Sequence, residues 1–573
     1  MSRISELPRR DWRAQAAPFV ARLTNLLKTP DGTQTLRPTQ AAMLLELATN
    51  RGLFANGRVG IGKSLVCALA AKMLGAQRPL VLCPGGILKA THAHFGHIAR
   101  HWQVPPNVQL LSYSAVSNMP RQGTSLGALF AGAGPDLLVC DEAHRLRNVR
   151  GSALARQIND WMVAHPECTF IVLTGTCDVE GLCDYGHLLD WCLRDRSPLP
   201  RTDTELRDWS EVIDQGDMAK AQWICQDLGI PEDSDLDAIR EAYRERLHSC
   251  PGVIIDDTPF DKVPLTVDVH VLPPDPALED HFIRLRTLWQ RPDGLDLAGG
   301  DSGADGREPD RIEGSSIWAV ARRMGRGLCY VLDPPPPEPW KLARRAYFGW
   351  VRAQLEGGRF MTEAVAREHA ERYNVRPWVA WRDIRDEFQP NQKTLWLSDA
   401  CLRWAEDWGR RGPGVIWVDD IEFGAELARR TGWPYFQGRG YTSDGRYIED
   451  APRGSVAIAS RWANSTGRNL QFQWNRCLFV APVSKSNDFE QAVGRFFREG
   501  IETWADHVHA DILLTCAEDF GAQRNMIASA RRTNRNIYSQ LAARLEWPHV
   551  LMPDTGAAFG HTPALPVDFP GLT

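Results

Sequence analysis

The chain has 573 residues, of which 43% are hydrophobic and 24% charged, a balance typical of soluble globular proteins with three to four domains. Its apolar runs are too short to span a bilayer, and the charged first residues lack the apolar stretch of a secretory signal, so we expect a cytoplasmic protein without a membrane partner. The net charge of −5 excludes a uniformly basic coat for nucleic acid, although a local basic groove is compatible with it. Thirteen scattered cysteines without metal-ligand spacing predict free thiols.

The first third of the chain predicts a helical segment followed by an α/β unit. Residues 1–32 read as mostly helical. From residue 33 to 200, short apolar runs alternate with helix-length stretches, which predicts a parallel sheet covered by helices. The predicted strands are Gly52–Ala55, Pro79–Cys83, Val108–Ser112, Asp136–Cys140 and Thr169–Leu173.

The rest of the chain predicts an insert and a second α/β unit. Residues 201–394 read as a helical and irregular insert and linker, with a flexible Gly- and Asp-rich loop at 291–311. The alternation returns over 395–545, and 546–573 form an irregular tail. The predicted strands of the second unit are Gly414–Val418, Val456–Ser460, Arg476–Val480 and Ala510–Cys516.

The segment GRVGIGKS, residues 57–64, fits the pattern of a phosphate-binding loop. It follows a predicted strand and opens a predicted helix, and its glycines let backbone N–H groups face phosphates. Lys63 would reach the β- and γ-phosphates, and Ser64 would help to hold Mg²⁺. A chance glycine-rich turn is the alternative for this segment alone.

A second segment, LLVCDEAH, places two carboxylates directly after an apolar strand. Asp141 is predicted to hold Mg²⁺, and Glu142 to orient and deprotonate the attacking water. The end of such a strand is also where open α/β sheets bind ligands. Without the phosphate loop upstream, the same letters could mark an ordinary helix start.

Two further segments are informative only in combination with these. A strand runs into Thr174-Gly175-Thr176, a polar turn that could link the nucleotide site to a bound nucleic-acid strand. In FEQAVGRFFREG, Arg495 and Arg498 are three residues apart and share one helical face. If this face meets the phosphate loop across a cleft, both arginines act on the γ-phosphate. In isolation, solvated surface arginines are the simpler interpretation.

Taken in order, these segments resemble superfamily-two helicases, and among them the Swi/Snf-type DNA translocases. TLRPTQ, LFANGRVGIGKS, LVLCPGGILKATHAHF, LTGTC and STGRNL…QAVGRFFREG are similar to that family's successive motifs over most of residues 33–520. DPPPPEPWKLARRAYFGW also resembles compact helicase-like proteins of phages and prophages. Arg468 stands where leucine is usual, and Cys177 where proline is usual.

The resemblance implies an α/β fold of two RecA-like lobes joined by a mostly helical insert, with ATP and Mg²⁺ bound between the lobes. It implies duplex DNA as the partner, possible phage or host replication and repair proteins as further partners, and the host cytoplasm as the location if a phage encodes the chain. It places Gln40 near the adenine. The predicted nucleotide-binding residues are Gln40, Gly57, Gly60, Ile61, Gly62, Lys63, Ser64 and Leu65.

The remaining site predictions follow from the same resemblance. The predicted catalytic residues are Lys63, Asp141, Glu142, Arg495 and Arg498, and the predicted Mg²⁺ ligands are Ser64 and Asp141. The predicted nucleic-acid contacts are Pro84, Gly85, Gly86, Lys89, Thr174 and Asn469.

The expected function is an ATP-dependent duplex-DNA translocase acting in phage or bacterial DNA replication, repair or recombination; chromatin remodelling is not expected. Two alternatives remain open. One is a strand-separating DNA or RNA helicase. The other is a regulatory ATPase that binds proteins and has no motor activity.

Overall fold

A computed structural model describes residues 3–57, 60–147, 149, 152–175, 181–256, 258, 260–288, 290–292, 313–356, 359–360, 363–388, 391–537 and 540–545. Most of the loop predicted at 291–311, and the tail predicted at 546–573, lie outside the described residues.

The described chain forms 21 α-helices and 14 strands. The helices are α1 Trp12–Ala16, α2 Val20–Leu27, α3 Pro38–Asn50, α4 Lys63–Leu74, α5 Leu88–Ile98, α6 Tyr113–Asn118, α7 Ala153–Ala164, α8 Gly186–Leu193, α9 Asp203–Ile213, α10 Ala221–Leu228, α11 Leu236–His248, α12 Pro276–Leu288, α13 Glu313–Gly325, α14 Glu338–Glu356, α15 Glu363–Arg372, α16 Arg376–Arg385, α17 Ala400–Arg410, α18 Ile421–Thr431, α19 Arg461–Asn464, α20 Ser486–Val493 and α21 Ala517–Asn536. The strands are β1 Leu53–Gly57, β2 Pro79–Cys83, β3 Gln109–Ser112, β4 Leu137–Asp141, β5 Thr169–Thr174, β6 Val253–Asp256, β7 Leu265–Val271, β8 Leu328–Asp333, β9 Asn391–Trp396, β10 Gly414–Val418, β11 Tyr435–Phe436, β12 Val456–Ser460, β13 Arg476–Phe479 and β14 Val508–Leu514.

The first lobe is built on a six-stranded parallel sheet with the order β3-β2-β4-β5-β1-β6. Its central strands are continuous apolar runs because both faces of the sheet are covered by helices. All five strands predicted for this unit are present. The carboxyl ends of β4, β5 and β1 therefore lie side by side at one edge of the sheet.

The second lobe repeats this architecture with the order β11-β12-β10-β13-β14-β7, again entirely parallel. All four strands predicted for this unit are present. Two parallel sheets covered by helices confirm the predicted fold class of two RecA-like lobes.

The range 201–394, assigned to an insert from the sequence, contributes to both sheets. Strand β6 pairs with β1 in the first lobe, and β7 pairs with β14 in the second. Helices α9 to α11 carry buried residues of the first lobe's core, such as Trp209 and Tyr243. Each lobe thus takes one edge strand of its sheet from this range, β6 in the first lobe and β7 in the second.

A smaller unit remains within that range. Strands β8 and β9 form an antiparallel pair, and helices α14 to α16 pack together around their own aromatic core. That core includes Trp340, Tyr347, Phe348, Trp378 and Trp381.

The N-terminal helices predicted within residues 1–32 pack on the first lobe. Trp12 and Ala16 of α1 and Leu23 and Leu27 of α2 are buried in the same apolar cluster as α3 and α4. Burial of this face holds the short helices in place, since helices of this length are marginal alone in water.

The two lobes touch at several points beside the cleft between them. A Cβ built on Gly467, in the second lobe, would overlap Ile87 of the first. On another side, His248 of α11 donates from Nε2 to the carbonyl of Ile537, just after α21, at 2.6 Å. Ile537 is itself buried in the first lobe's core cluster. The lobes therefore lie in direct contact.

The twelve cysteines within the described part of the chain are free thiols, in agreement with their scattered positions. Over the same residues, every helix is too short or too polar to cross a lipid bilayer.

Candidate nucleotide-binding and hydrolysis site

The phosphate-loop segment connects the end of β1 to the start of α4. Gly60 and Gly62 adopt φ values of +100° and +87°, a region that side-chain-bearing residues enter only with strain. Gly62 is the N-cap of α4, so the helix begins directly at Lys63. Glycines with positive φ at the start of a helix allow backbone N–H groups to point towards a bound anion.

Lys63 lies at the base of this loop. Its side chain is buried, and Nζ donates to the carbonyl oxygen of Gly57 at 2.6 Å. Burial lowers the pKa of Lys63, while the nearby charges of Glu142 and Asp141 oppose that shift. The ammonium group is therefore held beside both carboxylates.

Asp141 and Glu142 diverge at the end of β4. Asp141 is the last residue of the strand, and Glu142 takes a left-handed conformation with φ +56° and ψ +49°. This conformation costs a non-glycine residue about 1–2 kcal/mol. It turns the chain so that two neighbouring residues leave the strand in different directions.

The environments of the two carboxylates separate their pKa values. Burial, and then the adjacent charge of Glu142, raises the pKa of Asp141 to about 7, and Lys63 opposes the shift. Burial also acts to raise the pKa of Glu142, but interaction with His144 and the charges of Lys63 and Arg495 outweigh it and lower that pKa to about 2. Nδ1 of His144 lies 3.4 Å from Oε2 of Glu142. The surroundings of Glu142 thus favour its charged form more than those of Asp141 do.

The sheet brings these groups together. Strand β5 lies between β1 and β4, and its register pairs Thr174 with Asn56 and Leu173 with Asp141. The phosphate loop and the carboxylate pair therefore leave the same edge of the sheet, one strand apart. The hydroxyl group of Tyr113 donates to the backbone oxygen of Asp141 at 2.8 Å and fixes the end of β4.

Gln40 lies beside the phosphate loop. Its Oε1 accepts from the backbone N–H of Arg37 at 2.9 Å, and its Nε2 lies 3.5 Å from the carbonyl oxygen of Gly62. Arg37 donates from Nη1 to the carbonyl of Gly60 at 2.8 Å. The start of α3 is therefore attached to the loop by two side chains.

The other predicted nucleotide-binding residues occupy different surroundings. Leu65 is buried in the apolar core behind α4, whereas Ser64 is partly exposed. The side chain of Ile61 lies against Gly57, where a Cβ would overlap its Cδ1. Ser64 is accordingly the residue of these three with a polar group able to face a ligand.

Arg495 is supplied by the second lobe. It is 4% exposed, donates from Nε to the carbonyl of Gln491 at 3.0 Å, and from Nη1 to the carbonyl of Arg468 at 3.2 Å. Burial, followed by the positive charge of Arg498, lowers the pKa of Arg495 to about 9, while Glu142 opposes the shift. Arg495 and Glu142 thus interact electrostatically across the cleft.

Arg498 reaches the phosphate loop itself. A Cβ built on Gly60 would stand 3.5 Å from both Nε and Nη2 of Arg498. Burial, and then the charge of Arg37, lowers the pKa of Arg498. Arg37 also forms an ion pair with Glu499 of the second lobe. The structure therefore brings Lys63, the carboxylate pair and both arginines into one cleft.

The predicted nucleic-acid contacts divide into exposed and buried positions. Gly85, Gly86, Lys89 and Asn469 are exposed, whereas Pro84 and Thr174 are buried. Thr174 is completely covered, so a nucleic-acid strand cannot contact its side chain in this conformation. The role of all six in binding stays a prediction.

Arg37 is not among the site residues predicted from the sequence. Its position three residues before Gln40 is the available signal, because that spacing places it at the N-terminus of α3. Arg468, whose Nη1 donates to the hydroxyl group of Tyr447 at 2.5 Å, is not among them either. The carbonyl oxygen of Arg468 accepts hydrogen bonds from Arg495 and Arg498, so this residue helps to position both arginines of the site.

The residues present fit a nucleoside triphosphate with a divalent cation. Oε2 of Glu142 is a buried carboxylate oxygen beside Nδ1 of His144, at 3.4 Å, and is of the chemical type that can orient a water molecule. Lys63 Nζ is paired with a loop carbonyl, a bond that phosphate oxygens can replace. Ser64 and Asp141 offer the oxygen ligands that Mg²⁺ prefers.

Comparison with known proteins adds little to this geometry. No protein-family model matches the chain, and a comparison with curated proteins gives no match. Among solved structures, the chain is similar to the Pyrococcus furiosus Hef helicase domain, with 12% sequence identity and a TM-score of 0.35 over 84% of this chain and 96% of that one. A similarity this weak does not identify a function.

Proposed function

We propose that this chain is an ATP-hydrolysing motor of the helicase-like type, which hydrolyses ATP between its two lobes and moves along double-stranded DNA. The observation that carries the proposal is the position of Arg498 of the second lobe, whose guanidinium group lies beside Gly60 of the phosphate loop. A nucleotide site completed by residues from both lobes couples hydrolysis to lobe closure.

Each residue of the site has a separate task in this mechanism. Lys63 exchanges its bond to Gly57 for phosphate oxygens. Bound Mg²⁺, held by Ser64 and Asp141, would supply positive charge to the phosphate oxygens. Glu142, whose surroundings favour its ionised form, orients the attacking water and accepts its proton at a carboxylate oxygen.

The arginines act on the charge that develops during phosphoryl transfer. Arg495 and Arg498 are held by backbone carbonyls of their own lobe, so their position depends on how that lobe meets the first. Arginine residues that complete a site in this way contribute about 10³- to 10⁵-fold to turnover. Separation of the lobes would remove them and stop hydrolysis.

Duplex DNA is the polymer we propose. The exposed residues Gly85 and Gly86 before α5, Lys89 in its first turn, and Asn469 in the second lobe offer backbone and cationic contacts from both lobes. Gly467, two residues from Asn469, packs on Ile87, which immediately follows Gly86. The contacts proposed for the two lobes would therefore lie close together, and a change in lobe closure would move a strand bound there. The process we propose is phage or bacterial DNA replication, repair or recombination, as the resemblance implies.

The test is ATP turnover measured without polymer and with duplex DNA, single-stranded DNA or RNA. We expect stimulation by duplex DNA above the other polymers. Preferential stimulation by a single strand would favour a strand-separating helicase. Turnover unaffected by every polymer would favour a regulatory ATPase and would overturn the motor assignment.

A further inference from the structure

Two neighbouring strands of the second lobe each carry an aspartate and a histidine two residues apart, in opposite order along the chain. Strand β7 contains Asp268-Val269-His270, and β14 contains His509-Ala510-Asp511. The parallel register of the two strands pairs Asp268 directly with Asp511. Because side chains alternate with period two, all four polar side chains project from the same face of the sheet.

The donor atoms of this cluster converge. Nε2 of His509 lies 3.2 Å from Oδ1 of Asp511 and 3.4 Å from Oδ2 of Asp268. One ligand atom from each of these three residues lies within 4.8 Å of the others. Nε2 of His270 approaches the same Asp511 oxygen at 2.6 Å. Oxygen and imidazole nitrogen ligands of one tetrahedral zinc ion stand about 3.3 Å apart, given metal–ligand bonds of about 2.0–2.1 Å.

Further side chains contact the Asp511 carboxylate, as is usual for carboxylates that bind metals. The indole Nε1 of Trp408 donates to the other oxygen of Asp511, Oδ2, at 2.7 Å. Arg476 also faces Oδ2, at 3.7 Å. Oδ1 is thereby left to the imidazoles, and outer hydrogen bonds of this kind orient carboxylates that ligate metals.

The cluster is also accessible to an ion. The side chain of Asp511 is 5% exposed, whereas those of His509, His270 and Asp268 are 28%, 39% and 52% exposed. The site thus has a buried carboxylate at its bottom and one side that is open to solvent. An exposed acidic patch would lack both the buried carboxylate and the two imidazoles.

We propose that Asp268, His270, His509 and Asp511 bind one divalent transition-metal ion of the Zn²⁺ class. Two imidazole nitrogens and two carboxylate oxygens suit Zn²⁺, whereas Mg²⁺ prefers oxygen ligands alone. His270 would exchange its hydrogen bond with Asp511 for the ion. The ion would fasten β7, the edge strand supplied by the connection between the lobes, to β14.

Zinc affinity, measured by competition with a chromogenic chelator on the reduced full-length chain, tests the proposal. We expect one Zn²⁺ per chain that excess Mg²⁺ does not displace. The variants His509→Gln and Asp268→Asn should each weaken binding at least about tenfold. His281→Gln, in α12, the helix that follows β7, removes an imidazole outside the cluster and should leave the affinity unchanged.

Two further readouts separate this site from the thiols and from misfolding. Bound Co²⁺ should give the visible spectrum of a tetrahedral nitrogen and oxygen site without thiolate charge-transfer absorption. Asp268→Asn alters an exposed side chain and decides the question if His509→Gln does not fold. No Zn²⁺ binding by the native chain, a thiolate spectrum, or equal affinity in Asp268→Asn would overturn the proposal. This outcome does not depend on ATP hydrolysis.

Discussion

Arg498 of the second lobe packs against Gly60 of the phosphate loop, with its guanidinium nitrogens 3.5 Å from the place where a Cβ on Gly60 would stand. Neither residue is informative alone, because one is a loop glycine and the other one of many arginines. Together they join the two halves of one site, which begin on different sheets.

Replacing Arg498 by alanine should preserve ATP binding and reduce turnover. The phosphate loop, Lys63 and the carboxylate pair remain, so affinity for ATP persists, but charge developing on the phosphate loses its partner. We expect kcat to fall about 10³-fold or more. Equilibrium binding of a fluorescent ATP analogue and steady-state hydrolysis measure the two effects separately. Arg410→Ala, exposed in α17 of the same lobe, is the matched control; a normal kcat in Arg498→Ala would refute this role.

Replacing Lys63 by alanine should affect both binding and turnover. Its ammonium is the cation placed at the base of the loop, and loss of a charged stabiliser of this kind reduces kcat by about 10²- to 10³-fold. Lys72→Ala, an exposed lysine in the last turn of the same helix, should behave as wild type. Normal turnover in Lys63→Ala would show that the phosphate loop is assigned to the wrong segment.

Replacing Glu142 by glutamine should separate binding from chemistry. The amide keeps the shape of the side chain but cannot accept a proton, so ATP should bind and remain unhydrolysed, with kcat lower by at least about 10²-fold. Single-turnover hydrolysis of pre-bound ATP is the appropriate measurement. If hydrolysis proceeded at the wild-type rate, another residue would have to activate the water.

The stability of the first lobe should depend on pH through His187. Burial lowers the pKa of this imidazole to about 4, although Nε2 donates to the carbonyl oxygen of Leu146 at 3.0 Å. In the unfolded chain the pKa returns to about 6.5, so acid favours unfolding. This contribution to stability is complete above about pH 6.5 and is lost as the pH falls towards about 4.

The comparison with His187→Gln isolates that contribution. Denaturant unfolding at about pH 7 and at about pH 5 should show that wild type loses about 1–2 kcal/mol more than the variant. Parallel loss in both proteins would mean that another group controls the acid dependence.

Local patterns were enough to predict much of the fold. Most of the nine predicted strands are short runs dominated by apolar residues, which is how strands buried on both faces appear in a sequence. Strand β6 was missed because three apolar residues before an aspartate do not distinguish a strand from other buried segments. Strand β7 alternates as a strand should, but its parallel partner β14 lies far along the chain, and register at that separation is not encoded locally.

The candidate site could be predicted from the sequence only in part. The phosphate loop and the carboxylate pair are contiguous motifs, so their chemistry could be inferred directly. The attachment of Arg37 to both Gly60 and Glu499 could not, because it depends on how the lobes meet. The left-handed turn at Glu142 was also invisible, since its sequence fits an ordinary helix start equally well.

The central claim is that hydrolysis between the lobes moves the protein along duplex DNA, and displacement of a triplex-forming strand from duplex DNA tests it most directly. The wild-type chain should release the third strand with ATP and Mg²⁺. It should not release it with a non-hydrolysable analogue, and Glu142→Gln should release none with ATP. If duplex DNA stimulated ATP hydrolysis by the wild type but the third strand were not displaced, the motor assignment would be contradicted.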